Sequence, residues 1–337
     1  MSSRQRDSHD GRCHGSICSK CTTRVLSVGL AILVVGLYVI DRFLTVRHTC
    51  IDAKLHHIPP AVYSMMSDFT FKSSSGSGSF PFLSAPQTNE SGIRRTFVDI
   101  GLKDGRETVA AVASGYTVYS FEPVPTHCRE TMSALKEQHL DYHLVQLHPN
   151  GSMLEAQLPP PKHNRGVCYL FCVAAGATHG QNIMFVNGFA SSFHDRRDAE
   201  HAHVQVVPVS DYVQTDVFFV KIDVQGHELD VLKGLRNLVN GFAVRMISVE
   251  FWPTGMELAG YSPNSLLQLL TVEYGFICFD MDPHNPLHEE SLSGYLNHIH
   301  KARAIKAKRS PKSRWGWYVE LVCLNVLKPY SVHHQDY

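Results

Sequence analysis

Neither sign of charge is in surplus in this sequence: 31 lysines and arginines balance 31 aspartates and glutamates. A chain that follows a nucleic-acid backbone over a long footprint needs a basic surface to displace counterions. With a net charge of zero, only local basic patches are left for that use. Charged residues are scarce as well, 18% against 44% hydrophobic, which is a globular and not a disordered composition. No internal repeat is present, so 337 residues imply one large domain or two small ones. Complete zinc signatures are missing too. Cys13, His14, Cys18 and Cys21 have part of a ligand spacing, but no further CxxC or HxxxH completes four ligands. Acylation beside a membrane, or no role, suits these cysteines better.

What is present, first, is an apolar run. Residues 25–40 (VLSVGLAILVVGLYVI) carry no charge, and Phe43, Leu44 and Val46 extend the apolar reach past Asp41 and Arg42. The run is somewhat short of the ~20 residues that cross a bilayer, so Arg24 and Arg42 would snorkel toward headgroups. A buried core helix or the centre of a cleaved signal peptide would use such a run differently, but no small-x-small cleavage site follows before Cys50. Arg4, Arg6, Arg12, Lys20 and Arg24 precede the run, against Arg42, Arg47 and Lys54 after it, and the side richer in positive charge stays cytoplasmic.

The expected layout is a cytoplasmic tail (1–24), a transmembrane signal anchor (25–46), a stem (47–93) and a folded lumenal domain (94–330). That is a single-pass type II membrane protein of the endoplasmic reticulum or Golgi. Pro59-Pro60 and the Ser/Gly stretch 73–79 make the stem a tether without a core. The sequons at Asn89 and Asn150 are compatible with a lumen. Cys50, Cys128, Cys168, Cys172, Cys278 and Cys323 lie after the run, mostly in strand-like stretches, with their pairing open.

From Thr96 onward, short β-branched or aromatic runs alternate with helical periodicity, the pattern of a parallel sheet covered by helices. Strands are expected at Thr96–Ile100, Thr117–Phe121, 167–173, Val217–Ile222 and 244–250, with 276–281 and 317–326 as a closing pair. Helices are expected at 104–114, Pro125–Glu137, 226–239 and 263–273. The prolines at 159–161 read as an insertion before the third strand.

The strongest local signal is Val98-Asp99-Ile100-Gly101-Leu102-Lys103-Asp104-Gly105, a strand ending in an acid and two glycines four apart at a helix start. Glycines let the backbone approach a ligand, a helix N-terminus offers N–H groups to a carboxylate, and an acid answers an ammonium. Asp99, Gly101 and Gly105 therefore suit an amino-acid-like group. About twenty residues on, Phe121-Glu122-Pro123 sets a carboxylate at the end of the second strand, where it can accept both hydroxyls of a ribose. Together these describe an adenosine with an amino-acid tail. A nicotinamide dinucleotide fits less well, since Lys103 stands where G-x-G-x-x-G needs its second glycine.

These residues resemble the FkbM-type methyltransferases. TFVDIGLKDGRETVAAV and VYSFEPVPTH resemble that family's first two motifs, KIDVQGHELDVLKG its fourth-strand motif and MISVEF its fifth, over roughly residues 96–280. The resemblance implies S-adenosyl-L-methionine as methyl donor and O-methylation of a hydroxyl on a glycan, glycoconjugate or small metabolite. It also implies a Rossmann-like, seven-stranded methyltransferase sheet with helices on both faces and an antiparallel last strand. Asp99, Gly101, Gly105, Glu122 and Pro123, with Ala175 beyond the third strand, are then the donor-binding residues. Where the family usually has alanine and asparagine, this chain has Leu102 and Lys103, which alters the methionine pocket. Where it usually has glutamate, this chain has Gln225, which removes a carboxylate but keeps a hydrogen-bonding group of the same length.

Methyl transfer from a sulfonium is an in-line displacement in which alignment is the enzyme's main contribution, and an alcohol must also lose its proton. Asp223 ends the fourth strand at the sheet edge where ligands bind, so Asp223, then His227, then Glu228 are the candidate bases. Lys221 reads as a strand residue with a solvated tip. Glu250, ending the fifth strand, could share a divalent cation with Asp223, but no third ligand is evident and no metal is expected. The basic run 301–314 is either a solvated loop or an attraction for an acidic acceptor such as a charged glycan. The alternative to an enzyme is a catalytically inactive, membrane-tethered binding module of the same fold, which Lys103 and Gln225 suggest. Action on RNA or protein is disfavoured by the neutral charge and the lumenal placement.

Overall fold

The structure, a computed structural model, describes residues 95–155, 157–160, 165–186, 200–280, 286–287 and 318–325. The expected tail, anchor and stem (1–93) and the basic run (301–314) lie outside these residues. Among the described residues, no helix is long and apolar enough to cross a membrane.

The strands in chain order are β1 (Thr96–Ile100), β2 (Thr117–Phe121), β3 (Asp141–Val145), β4 (Val167–Phe171), β5 (Ala174–Ala175), β6 (Gly180–Val186), β7 (Glu200–Val207), β8 (Val217–Ile222), β9 (Val244–Phe251), β10 (Phe276–Asp280), β11 (Pro286–Leu287) and β12 (Val319–Asn325). The α-helices are α1 (Arg106–Ala113), α2 (Pro125–Glu137), α3 (Glu228–Gly234), α4 (Arg236–Gly241), α5 (Pro253–Leu258) and α6 (Pro263–Gln268). The main sheet runs β11-β10-β12-β9-β8-β1-β2-β4-β3. Its six strands from β9 to β3 are parallel, and β12 is antiparallel to both β9 and β10. The result is an α/β fold on a large, mostly parallel sheet.

Burial explains why these runs become strands. β1, β4 and β8 are buried at every residue, as strands covered on both faces must be. Val98, Ile100, Val220 and Ile222 share one core with Leu229 and Leu232 of α3 and Leu266 of α6. The alternate residues Phe97 and Phe219 stack with ring centroids 5.3 Å apart, and Thr108 of α1 reaches Asp99. Alternation puts these on the opposite face, so helices cover both.

Several expectations are corrected. Among the described residues the main sheet has nine strands, not seven. β3 was missed because its sequence, DYHLV, mixes polar and apolar side chains and only Val145 is buried, as suits a sheet edge. The run expected at 167–173 is therefore the fourth strand, and it stops at Phe171. A second, three-stranded sheet, β5-β7-β6, was not foreseen; Met184 and Val204 pack there against Val124 and Ala174. The helix expected at 226–239 is two short ones meeting at Leu235. The one expected at 263–273 ends as a π turn, Leu269–Glu273. Two disulfides, Cys128–Cys172 and Cys278–Cys323, settle part of the cysteine pairing, while Cys168 is free and buried.

Candidate functional site

The C-terminal ends of β1, β2, β8 and β9 meet around one cavity, and local backbone geometry decides how closely. Gly101 has φ +85, and a Cβ there would lie 1.9 Å from the Asp223 carbonyl oxygen, so only glycine lets the end of β1 approach the end of β8. Gly105, with φ +69, is pressed against Thr131 of α2 in the same way. Between them Lys103 also takes a left-handed φ of 54, which costs a non-glycine residue on the order of 1–3 kcal/mol.

Glu122 fixes this turn. Its Oε2 accepts the Leu102 N–H at 2.9 Å and the Lys103 N–H at 3.2 Å, and its Oε1 accepts the Val124 N–H at 2.8 Å. His127, near the start of α2, brings Nδ1 to 3.4 Å from Oε1, and that carboxylate raises the histidine's pKa above the ordinary value. Glu122 is thus a nearly enclosed acid that caps three backbone donors while its side chain forms part of the cavity wall.

Of the residues expected from sequence, Gly101, Glu122, Pro123, Ala175, Asp223 and His227 all line the cavity. Asp99, Gly105 and Glu228 lie outside its lining. The N–H groups of Gly101 and Gly105 are already donated, to Phe121 O at 3.0 Å and Leu102 O at 2.9 Å. Asp99 is fully buried, accepts from Thr108 Oγ1 at 2.7 Å and has the Lys221 ammonium 3.5 Å away. Glu228 is fully buried as well, and its Oε1 accepts the Gly226 N–H at 2.9 Å; burial pushes its pKa up to about 8.

Lys221 overturns its sequence reading. It is 8% exposed, not solvated at its tip, and Nζ donates to the Gly101 carbonyl at 3.0 Å. Burial alone would lower its pKa, but the Asp99 carboxylate, followed by Asp223 and Glu107, more than offsets this and keeps the ammonium charged. A strand position that alternates with apolar neighbours gave no signal that its partner would be the acid at the same register of β1.

Asp223, Gln225 and Glu250 line the same cavity. The Gln225 amide donates to Asp223 Oδ1 at 2.8 Å and to Glu250 Oε2 at 2.8 Å. Burial, then the charge of Asp223, raises the pKa of Glu250 well above the carboxylate norm. Sequence reasoning missed His127 and Met184 as wall residues. A histidine two places after the proline that opens α2 was a usable signal. Met184 belongs to the unforeseen second sheet and gave none.

The family profile of the Methyltransferase FkbM domain matches residues 99–278, more than half of the 337 residues, and the span contains every candidate site residue. No curated protein matches the chain. Among solved structures, the methyltransferase FkbM from Methylobacillus flagellatus KT is similar at 14% identity and a TM-score of 0.37, over 69% of this chain and 45% of that one. The chain therefore spans less than half of that protein. An rRNA methylase from Streptococcus thermophilus is similar at 9% identity and a TM-score of 0.35, over 72% and 92% of the two chains. An O-methyltransferase from Bacillus cereus in complex with SAH is similar at 8% identity and a TM-score of 0.32, over 68% and 74%.

Proposed function

The chain belongs to the FkbM methyltransferase family, and from that membership we propose that it is an S-adenosyl-L-methionine-dependent O-methyltransferase acting on a hydroxyl of a glycan, glycoconjugate or small metabolite. The observation that carries this reading is a single cavity whose wall contains Glu122, the Gly101 turn and Asp223 together. An acid at the end of β2 suits ribose hydroxyls, and Phe121, Val124, Ala174, Ala175 and Met184 supply apolar wall for a flat ring. A carboxylate has about four acceptor positions, and Glu122 has three occupied by backbone N–H groups. One ribose hydroxyl can take the remaining position, and the second would displace the longest of these bonds, the one from Lys103.

The donor, when bound, supplies an electrophilic methyl group on a sulfonium. The chain's own residues hold it and prepare the acceptor. Glu122 accepts hydroxyl donors, Lys221 keeps the Gly101 carbonyl in place from behind, and Asp223 takes the acceptor's hydroxyl proton. His227, on the same wall, is the next base candidate. Glu228, Asp99 and Gly105 serve this site from behind its wall.

For placement we propose a type II membrane protein with the domain in the lumen of the endoplasmic reticulum or Golgi, and an acceptor that includes acidic glycans. The charge bias around 25–40 supports the first part. The two disulfides are bonds of an oxidising compartment and support it independently. The second reading, an inactive binding module, is favoured by one observation: Lys103, left-handed and on the cavity wall, where a donor's tail would lie. Calorimetry with S-adenosyl-L-methionine, followed by transfer of labelled methyl to fractionated glycans, lipids and proteins, separates the two. Binding and label in a glycan fraction support the enzyme, and absence of donor binding supports the module.

A further inference from the structure

On the cavity wall, one amide lies between two carboxylates. Gln225 Nε2 is 2.8 Å from Asp223 Oδ1 and 2.8 Å from Glu250 Oε2, so its two hydrogens are both used, one on each acid. The second oxygen of each acid has no protein donor among the described residues, and both side chains line the cavity.

The backbone delivers the amide to that point. Gln225 has φ 55 and Gly226 φ 104, which makes a left-handed turn between β8 and α3. Glu228 fixes the turn from the other side by accepting the Gly226 N–H. A glutamine at positive φ is uncommon and persists where its surroundings over-determine it; two hydrogen bonds to acids do so here. Two acids that converge on one point ordinarily share a proton or hold a cation. In this chain an uncharged donor already occupies the point.

We propose that Gln225 is a positioning residue that stands in the place of a bridging cation. Its amide holds the Asp223 and Glu250 carboxylates side by side and leaves one oxygen of each for the acceptor, so the acceptor end of the site works without a divalent metal. This rests on Asp223 being the group that meets the acceptor, but its test needs neither donor nor acceptor.

The probe is Mn²⁺ alone, followed by electron paramagnetic resonance of the free ion in the presence of the purified full chain. Wild type leaves the signal unchanged. Gln225→Glu, which puts a third carboxylate at the same point, captures about one equivalent, and adding Asp223→Asn to it abolishes the capture. Circular dichroism checks that each variant is folded. Wild-type capture of Mn²⁺ that Asp223→Asn abolishes would mean that the amide turns its oxygen to a metal, and would overturn the proposal even if Gln225→Glu did not fold. A folded Gln225→Glu that captures no Mn²⁺ would overturn it equally, because the two acids would not share a centre. A second readout is kinetic: Gln225→Ala lowers turnover several-fold while the donor's dissociation constant stays put, and a chelator leaves wild-type transfer unchanged. Loss of donor binding in Gln225→Ala, or loss of wild-type transfer with the chelator, would also overturn it. Failure of any methyl transfer in wild type would instead fall on the proposed function and leave the Mn²⁺ result standing.

Discussion

The Glu122 carboxylate accepts the backbone N–H of Leu102 at 2.9 Å across twenty positions of chain, and so ties the end of β2 to the glycine turn that follows β1. One side chain therefore shapes the turn and presents the acid that would meet a ribose. Glu122→Ala is expected to weaken donor binding by a few kcal/mol, since charge-assisted bonds to hydroxyls contribute ~1.5–3 kcal/mol each. It should also lower the melting temperature, because three backbone donors lose their acceptor. Calorimetry and thermal melting read the two effects. An unchanged dissociation constant in a folded variant would remove Glu122 from the donor site.

Asp223→Asn separates chemistry from binding. It keeps size and polarity but cannot take a proton, so turnover should fall by the ~10²–10⁴ typical of lost general-base help, with donor affinity little changed. Equal loss in both quantities would place Asp223 against the donor. No loss in either would pass the role to His227.

The strands that build the site were the legible part of the sequence. Thr96–Ile100 and Val217–Ile222 appear with the bounds that their runs implied, because a parallel strand buried on both faces leaves little room for polar residues, and Thr117–Phe121, only partly buried, appears with its expected bounds as well. α2 was equally plain, opened by Pro125 at its first position. β3 was not, because an edge strand has no such demand on its composition. Within the site, the acids at strand ends could be read as Asp223, Glu122 and Glu250. The pairing of side chains could not, since Gln225 meets Glu250, and behind the wall Lys221 meets Asp99, only through the pairing of strands distant in sequence.

Lys221→Met should destabilise the fold by ~3–5 kcal/mol, the usual consequence of leaving one member of a buried ion pair without its partner. Asp99 would be that member. Urea unfolding should show the loss, and Asp99→Asn/Lys221→Met should recover part of it. A double variant no more stable than Lys221→Met would mean that the lysine acts through the Gly101 carbonyl alone.

Glu228 gives a pH dependence with a defined sign. Its pKa, raised by burial from 4.5 in the ordinary case to about 8 in the fold, lets the folded protein keep a proton that the unfolded chain releases. The associated stability is full below about pH 4.5 and is lost as the pH rises through about 8. Glu228→Gln keeps an oxygen for the Gly226 N–H and cannot ionise. Its melting temperature should exceed that of wild type at about pH 9 and converge with it at about pH 5. A constant gap between the two proteins across that range would show that Glu228 is not the titrating group.

The Cys128–Cys172 and Cys278–Cys323 bonds join residues 44 and 45 positions apart, and closing loops of that length restricts the unfolded chain by about 4 kcal/mol per bond on a chain-entropy basis. That is a large share of what a domain has in reserve. The host used to make recombinant protein therefore matters as much as the assay. Material from a thiol-rich bacterial cytosol is expected to emerge unpaired and prone to aggregate, whereas the same chain routed through a secretory pathway should emerge cross-linked and able to bind its donor.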